Sequence, residues 1–171
     1  MFFSVKELEL RKVQFDENFP QGEIEFLDQL RQATPIHAAG TAELLANTGG
    51  QIRVRGSLSV VMECQCDRCL EDTSFSIASD FDMFYRPVAD IAVEEEVRIN
   101  ALDAEIGFYE HGGVELGDVL REHVLLSLPM QRVCREDCKG ICPVCGRNRN
   151  QVSCGCQPHM ADDRWSALKN I

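Results

Sequence analysis

The sequence lacks any apolar run long enough to cross a lipid bilayer. A membrane-spanning helix needs about 18 or more consecutive apolar residues, and no segment of the 171-residue chain approaches that length. The opening residues, Met1 to Glu7, also lack the charged and long apolar regions of a secretory signal. We therefore expect a cytoplasmic protein with no membrane partner.

Positive charge is also scarce, since 17 Lys and Arg stand against 28 Asp and Glu, for a formal net charge of −11. This balance disfavours a protein coated in positive potential, because nucleic-acid affinity depends largely on phosphate neutralisation. The charge is uneven, however: residues 129–171 carry seven Lys or Arg and four Asp or Glu. The sequence therefore describes a basic tail on an acidic body.

Motifs for catalysis are missing too. We find no Ser/His/Asp spacing, no phosphate-cradling glycine loop and no metalloprotease signature. No residue pattern in the sequence indicates a catalytic nucleophile.

Hydrophobic alternation is the clearest structural signal in the body. Apolar residues occupy the even positions from Ile52 to Met62, and polar residues occupy most odd ones, which predicts a strand with one face on the core. Alternation resumes from Thr73 to Tyr85. The pattern predicts an antiparallel hairpin with cysteines at its tip.

Helical spacing appears twice in the body. Ile24, Leu27 and Leu30 predict a short helix ending before Thr34, and the apolar spacing over residues 113–128 predicts a longer one. The fold class is then α+β, with an antiparallel sheet and a few helices over residues 1–129. We expect residues 130–171 to form a separate cysteine-rich tail with a closing helix.

Six of the nine cysteines lie in this tail: Cys134, Cys138, Cys142, Cys145, Cys154 and Cys156. The sequence Cys142-Pro-Val-Cys145-Gly is typical of a knuckle whose sharp turn aims two thiolates at one point. Zinc needs four ligands, and either Cys134/Cys138 or Cys154/Cys156 could supply the second pair. Two of the six would then be spare, or would bridge in a larger site. Disulfide or redox chemistry is the alternative to zinc.

A second thiol cluster, Cys66 and Cys69, lies at the predicted hairpin tip. Three interpretations stay open for this pair. It is half of a metal site completed by tail cysteines, a redox pair, or a buried thiol turn.

The tail cysteines are interleaved with basic residues: Arg132, Arg135, Lys139, Arg147 and Arg149. Around a metal-folded loop these side chains are candidate RNA-binding residues that would contact phosphates. The alternative is that they offset the charge of a tetrathiolate site, which is about −2.

Several of these motifs together resemble the YceD family of large ribosomal RNA subunit accumulation proteins. They are Cys66-Asp-Arg-Cys69-Leu-Glu, Leu128-Pro129, the run from Cys134 to Cys156, and Asp163-Arg164-Trp165-Ser166-Ala167-Leu168. Cys64 is an addition to the usual pair. The resemblance implies a non-enzymatic role in 23S rRNA accumulation and large ribosomal subunit assembly, without a small-molecule substrate. The implied partners are 23S rRNA, a pre-50S particle or a basic ribosomal protein.

The cysteines leave one other function open and disfavour another. A zinc-dependent redox-switched chaperone or thiol sensor also combines such cysteine pairs around zinc. A hydrolase using metal-bound water would need an open coordination position, which all-thiolate sites usually lack.

Overall fold

The computed structural model describes residues 1–26, 30–88 and 106–157, which form an α+β protein composed mostly of strands. The helices are α1 (Val5–Leu8) and α2 (Leu116–Ser127). The strands are β1 (Phe2–Ser4), β2 (Val13–Phe19), β3 (Arg31–Gln32), β4 (Ile36–Leu44), β5 (Ile52–Gln65), β6 (Asp72–Pro87), β7 (Ile106–Tyr109) and β8 (Gly113–Glu115). The α+β class predicted from the sequence is confirmed.

The larger sheet has the strand order β2-β4-β5-β6-β7, and β3 also pairs with β5. Pairing is antiparallel between β2 and β4, β3 and β5, and β4 and β5. Strands β6 and β7 instead run parallel, with Phe84 opposite Ile106. This pair corrects the predicted antiparallel sheet at one edge. The connection over residues 88–105 exceeds the roughly dozen residues that a parallel crossover requires.

Strand β5 buries the face that its alternation predicts. Successive side chains of a strand point to opposite faces of the sheet, and only one face of β5 packs against the core. Cys64 continues the same face and is 3% exposed, so it belongs to the sheet core. The predicted residues are all at most 3% exposed: Ile52, Val54, Leu58, Val60 and Met62.

Helix α2 begins later than predicted because residues 113–115 form β8, which pairs with β1. It ends at Ser127, and Leu128 is extended with ψ 144°, as expected for a residue that precedes a proline. Its apolar stripe is fully buried in the same core as the β5 face. The stripe consists of Leu116, Val119, Leu120 and Val124.

The short helix predicted from Ile24 to Leu30 is wrong where the chain is described. Arg31 and Gln32 form β3, with Gln32 opposite Met62, and residues 24–26 are not helical. Ile24 and Leu30 are both buried, so their spacing reflects core contacts rather than a helical period. Residues 27–29, and the closing helix predicted in the tail, lie outside the described residues.

The chain divides into two compact units. The sheet unit consists of residues 1–64 and 74–130, and the cysteine unit consists of residues 65–73 and 131–171, described as far as residue 157. The cysteine unit therefore takes the connection between β5 and β6, which the sequence-based division at residue 129 had left in the body. None of the helices in the described part of the chain is both long and apolar enough to span a bilayer.

Candidate metal centres

Eight cysteines of the cysteine unit gather into two groups of four. Within each group all four Sγ atoms lie within 4.8 Å of one another. The first cluster is Cys66, Cys69, Cys134 and Cys138. The second cluster is Cys142, Cys145, Cys154 and Cys156. Each group could hold one metal ion.

This arrangement differs from a single site with two cysteines to spare. The knuckle Cys142/Cys145 takes Cys154/Cys156 as its second pair, and Cys134/Cys138 instead joins Cys66/Cys69. Of the three interpretations of Cys66 and Cys69, the geometry matches half of a site completed by tail cysteines. Spacing along the chain could not reveal this pairing, because the two halves are more than 60 residues apart.

The two CxxC knuckles have the same backbone turn. Leu70 N donates to Cys66 O at 2.9 Å, and Gly146 N donates to Cys142 O at 2.8 Å. The first cysteine of each knuckle then donates its own N–H five residues ahead, to Glu71 O and to Arg147 O, both at 2.8 Å. Both turns therefore place two sulfurs side by side.

The residue after each second cysteine has a left-handed backbone conformation. Gly146 has φ 70°, and Leu70 has φ 62°. Glycine accepts this conformation freely, whereas a side chain with a Cβ pays about 1–2 kcal/mol for it. The left-handed conformation of Leu70 therefore costs conformational free energy, and contacts around the first knuckle must offset that cost.

Asp67 and Arg68, between the first two cysteines, supply much of that support. Arg132 N donates to Asp67 Oδ2 at 2.6 Å, and Asp67 N donates to Arg132 O at 2.8 Å. Arg68 Nη1 donates to the carbonyls of Glu136 and Cys138 at 3.4 and 3.3 Å. These bonds fix the ligand loop 134–138 against the hairpin tip.

Asn150 is a neighbour of the first cluster that the sequence did not single out for this position. Its Nδ2 donates to Cys138 Sγ at 3.3 Å, and its Oδ1 accepts from Lys139 N at 2.8 Å. Amide N–H groups aimed at a ligand sulfur are typical of the outer shell of a metal site. Nothing in the local sequence marks Asn150 for this contact, because its partner Cys138 lies 12 residues away in the chain.

Hydrogen-bond donors lower the pKa values of some cluster thiols, whereas burial and neighbouring thiols raise those of others. Burial opposes ionisation of Cys66, but N–H donors from Cys134, Cys69 and Arg68 outweigh it and lower its pKa to about 6. The N–H groups of Cys145 and Val144 lower the pKa of Cys142 to about 6.

Cys138 behaves similarly, because the Asn150 hydrogen bond is the main influence that lowers its pKa. Burial and the neighbouring thiols raise the pKa of Cys134 to about 12. Cys145 is the main neighbour that raises the pKa of Cys156 to about 12. Four thiols this close together cannot all ionise without a cation to balance them.

The clusters differ in exposure. Three cysteines of the first cluster are buried, and only Cys134 is exposed. In the second cluster Cys142 is buried, whereas Cys145 and Cys156 are exposed. Solvent reagents would therefore reach the second cluster more readily.

The five basic residues predicted to contact RNA differ in their partners. Arg132 Nη2 lies 3.6 Å from Asp67 Oδ1, and Arg135 Nε lies 3.3 Å from Asp137 Oδ1. Lys139, Arg147 and Arg149 are exposed, and no ion pair involves them among the described residues. These three cations are the ones left available to a partner.

Fold and site together define an α+β protein that carries two tetracysteine clusters in one small unit. Residues 54–171 match the model of the family described as "Large ribosomal RNA subunit accumulation protein YceD". The chain belongs to the YceD family, which confirms the resemblance seen in its sequence. No solved structure matches the chain.

Curated relatives come from plants and bacteria. The chloroplastic "Large ribosomal RNA subunit accumulation protein YCED homolog 1" of Arabidopsis thaliana is 27% identical over 142 residues, covering 71% of this chain and 44% of that protein. The Zea mays protein of the same name is 25% identical over 153 residues, covering 71% and 49%. The chain thus spans about half the length of these relatives. "Uncharacterized protein YlbN" of Bacillus subtilis is 22% identical over 173 residues, covering 99% and 93%.

Proposed function

We propose that this protein is a cytoplasmic, non-enzymatic factor that supports 23S rRNA accumulation and large ribosomal subunit assembly. In this proposal the cysteine unit binds two zinc ions and presents a basic surface to 23S rRNA within a pre-50S particle. The family match over residues 54–171 carries the proposal, because the family is named for large ribosomal RNA subunit accumulation. The two plant relatives bear the same name.

Zinc is the ion that best suits the two clusters. Four thiolates around Zn²⁺ at about 2.3 Å would place neighbouring sulfurs about 3.8 Å apart in a tetrahedron. Cys66 Sγ lies 3.9 Å from Cys138 Sγ, and Cys69 Sγ lies 3.7 Å from Cys134 Sγ. These separations are far too long for a disulfide, whose sulfurs are about 2.05 Å apart.

The same donor sets argue against an enzyme. A catalytic zinc keeps one position open for water or substrate, whereas a site closed by four thiolates is structural. Eight cysteines lie in groups whose spacing suits a metal ion, and clustered thiols that bind metal are typical of a reducing compartment such as the cytoplasm.

RNA contact is assigned to Lys139, Arg147 and Arg149, because these cations are exposed and have no ion pair among the described residues. The net charge of −11 would suppress nonspecific RNA binding elsewhere and keep recognition local. The alternative partner, a basic ribosomal protein, would instead bind the acidic part of the chain.

A charge-reversal experiment tests this assignment. Tagged wild-type protein, R147E/R149E and the control K6E/R31E are expressed in cells, and the RNA bound to each is sequenced. We expect 23S rRNA with the wild type and the control, and at least a tenfold lower recovery with R147E/R149E. Lys6 and Arg31 are exposed cations of the sheet unit, so the control makes the same change of charge.

The zinc content of the same variants separates RNA contact from charge compensation. If Arg147 and Arg149 mainly offset the thiolates, R147E/R149E will lose zinc together with RNA. Unchanged zinc with lost RNA supports direct contact. Equal recovery of 23S rRNA with R147E/R149E and with the wild type would contradict the assignment.

The exposure of Cys145 and Cys156 favours a second candidate function, a zinc-dependent redox-switched chaperone or thiol sensor. This function predicts that mild peroxide oxidises the second cluster to disulfides, with zinc released as peroxide is reduced to water. The oxidised protein would then suppress aggregation of an unfolded client. An assembly factor would show no such gain.

A further inference from the structure

We propose that Asn150 couples the two clusters, so that a zinc ion in the second cluster strengthens zinc binding in the first. This inference rests on the zinc binding proposed above and does not depend on RNA contact. Asn150 has the role of a positioning residue, because it acts on a ligand sulfur and not on the ion.

Both polar ends of the Asn150 side chain are committed to the first cluster. Nδ2 donates to the sulfur of Cys138, and Oδ1 accepts from the next backbone N–H, that of Lys139. The amide therefore fixes a ligand and the chain that carries it. A donor aimed at a thiolate also stabilises the charge that a metal-bound sulfur retains.

The position of Asn150 is in turn fixed by the second cluster. Residues 140–142 and 147–149 face each other, joined by Cys142 N to Arg147 O at 2.8 Å and by Arg149 N to Gly140 O at 2.9 Å. Cys142 and Cys145 lie just before Asn150, and Cys154 and Cys156 lie just after it. An ion in the second cluster would hold the chain on both sides of this asparagine.

Apolar burial does little to hold this segment without an ion. The buried hydrophobic side chains of the described cysteine unit are all cysteines: Cys66, Cys69, Cys138 and Cys142. Leu70, Ile141, Val144 and Val152 are exposed. Metal binding would therefore supply much of the folding free energy here, and an ion that closes the second cluster would hold Asn150 against Cys138.

Loss of an outer-shell partner typically costs a metal site about 10–100-fold in affinity. We expect a coupling of that size between the clusters. Coupling free energies are reciprocal, so breaking the first cluster should weaken the second by the same factor.

A double-mutant cycle on the full chain tests the coupling. The four proteins are the wild type, N150D, the second-cluster variant C154S/C156S, and the combination of all three substitutions. N150D keeps the acceptor for Lys139 N and removes the donor to Cys138. A competing chelator sets the free zinc concentration, and thiols that are not bound to zinc are then alkylated. Peptide mass spectrometry of the alkylated cysteines gives the zinc occupancy of the first cluster separately from that of the second.

We expect N150D and C154S/C156S each to weaken zinc binding at the first cluster by about 10–100-fold. The combined variant should be no weaker than either parent. Q14E is the matched control, because Gln14 undergoes the same amide-to-acid change at an exposed position of β2, in the sheet unit. It should leave the first cluster unchanged.

Several outcomes would overturn the coupling. One is an additive cycle, with N150D equally harmful whether or not the second cluster is intact. A second is a zinc affinity of the first cluster that is unchanged in C154S/C156S or in N150D. A third is a Q14E variant whose first cluster binds zinc as weakly as that of N150D. If the wild type bound no zinc, both the coupling and the zinc part of the proposed function would fail. Two bound ions with an additive cycle would leave the proposed function standing.

Discussion

Two alanine substitutions only two residues apart are expected to differ in their effect on metal content. C66A should reduce bound zinc from two ions per chain to one, because it removes a ligand of the first cluster. C64A should keep both ions, because Cys64 lies in the core of the sheet unit. Zinc per chain, measured on purified protein by elemental analysis, checks both outcomes.

The effect of C66A should be confined to the cysteine unit. The buried cysteines Cys66, Cys69 and Cys138 form a hydrophobic cluster separate from the sheet core. Structural zinc sites supply about 10–16 kcal/mol to the segments that they fold, so loss of a ligand should open loop 134–138 while the strands persist. Amide hydrogen exchange would show lost protection in residues 131–138 and retained protection in β4 and β5.

C64A serves as the control for cavity effects. Its cost should be about 1 kcal/mol in the unfolding free energy of the sheet unit, the amount expected for removing one small buried group. Two zinc ions in C66A, or one in C64A, would contradict the assignment of the first cluster.

The sheet was predictable because its signal is local. The alternation from Ile52 to Met62 follows from burial on one side of a strand, and it marks the buried face correctly. Cys64 extends that face beyond the predicted residues. The parallel pairing of β6 and β7 was not predictable, because it depends on partners distant in sequence. The helix predicted from the spacing of Ile24 and Leu30 was wrong for a related reason, because their burial follows from tertiary contacts.

The metal centres were predictable in their residue types but not in their pairing. The sequence Cys142-Pro-Val-Cys145-Gly indicates a knuckle because its glycine accepts the left-handed conformation. Leu70 adopts the same conformation after Cys69, and a leucine gives no sequence signal for it. Hydrogen bonds of Asp67 and Arg68 accompany the joining of Cys66/Cys69 to Cys134/Cys138. They link residues more than 60 apart in the chain, so a local sequence pattern does not reveal them.

The second large effect should appear in the salt dependence of RNA binding. Each phosphate contact contributes roughly −0.7 to −0.9 to the slope of log affinity against log salt. If Lys139, Arg147 and Arg149 each contact one phosphate, affinity for a 23S rRNA fragment should fall by about 20–40-fold between about 50 and 200 mM salt. Filter binding or fluorescence anisotropy over this range measures the slope.

Neutralising two of these cations should flatten that dependence. R147A/R149A should make the slope about 1.4–1.8 less steep, whereas R132A/R135A should change it less, because Arg132 and Arg135 have acidic neighbours. Zinc content is measured beside each titration, so that a collapsed cysteine unit is not mistaken for a lost contact. Equal slopes for the wild type and R147A/R149A would exclude phosphate contact by these residues. They would then favour a basic ribosomal protein, bound by acidic surface, as the partner.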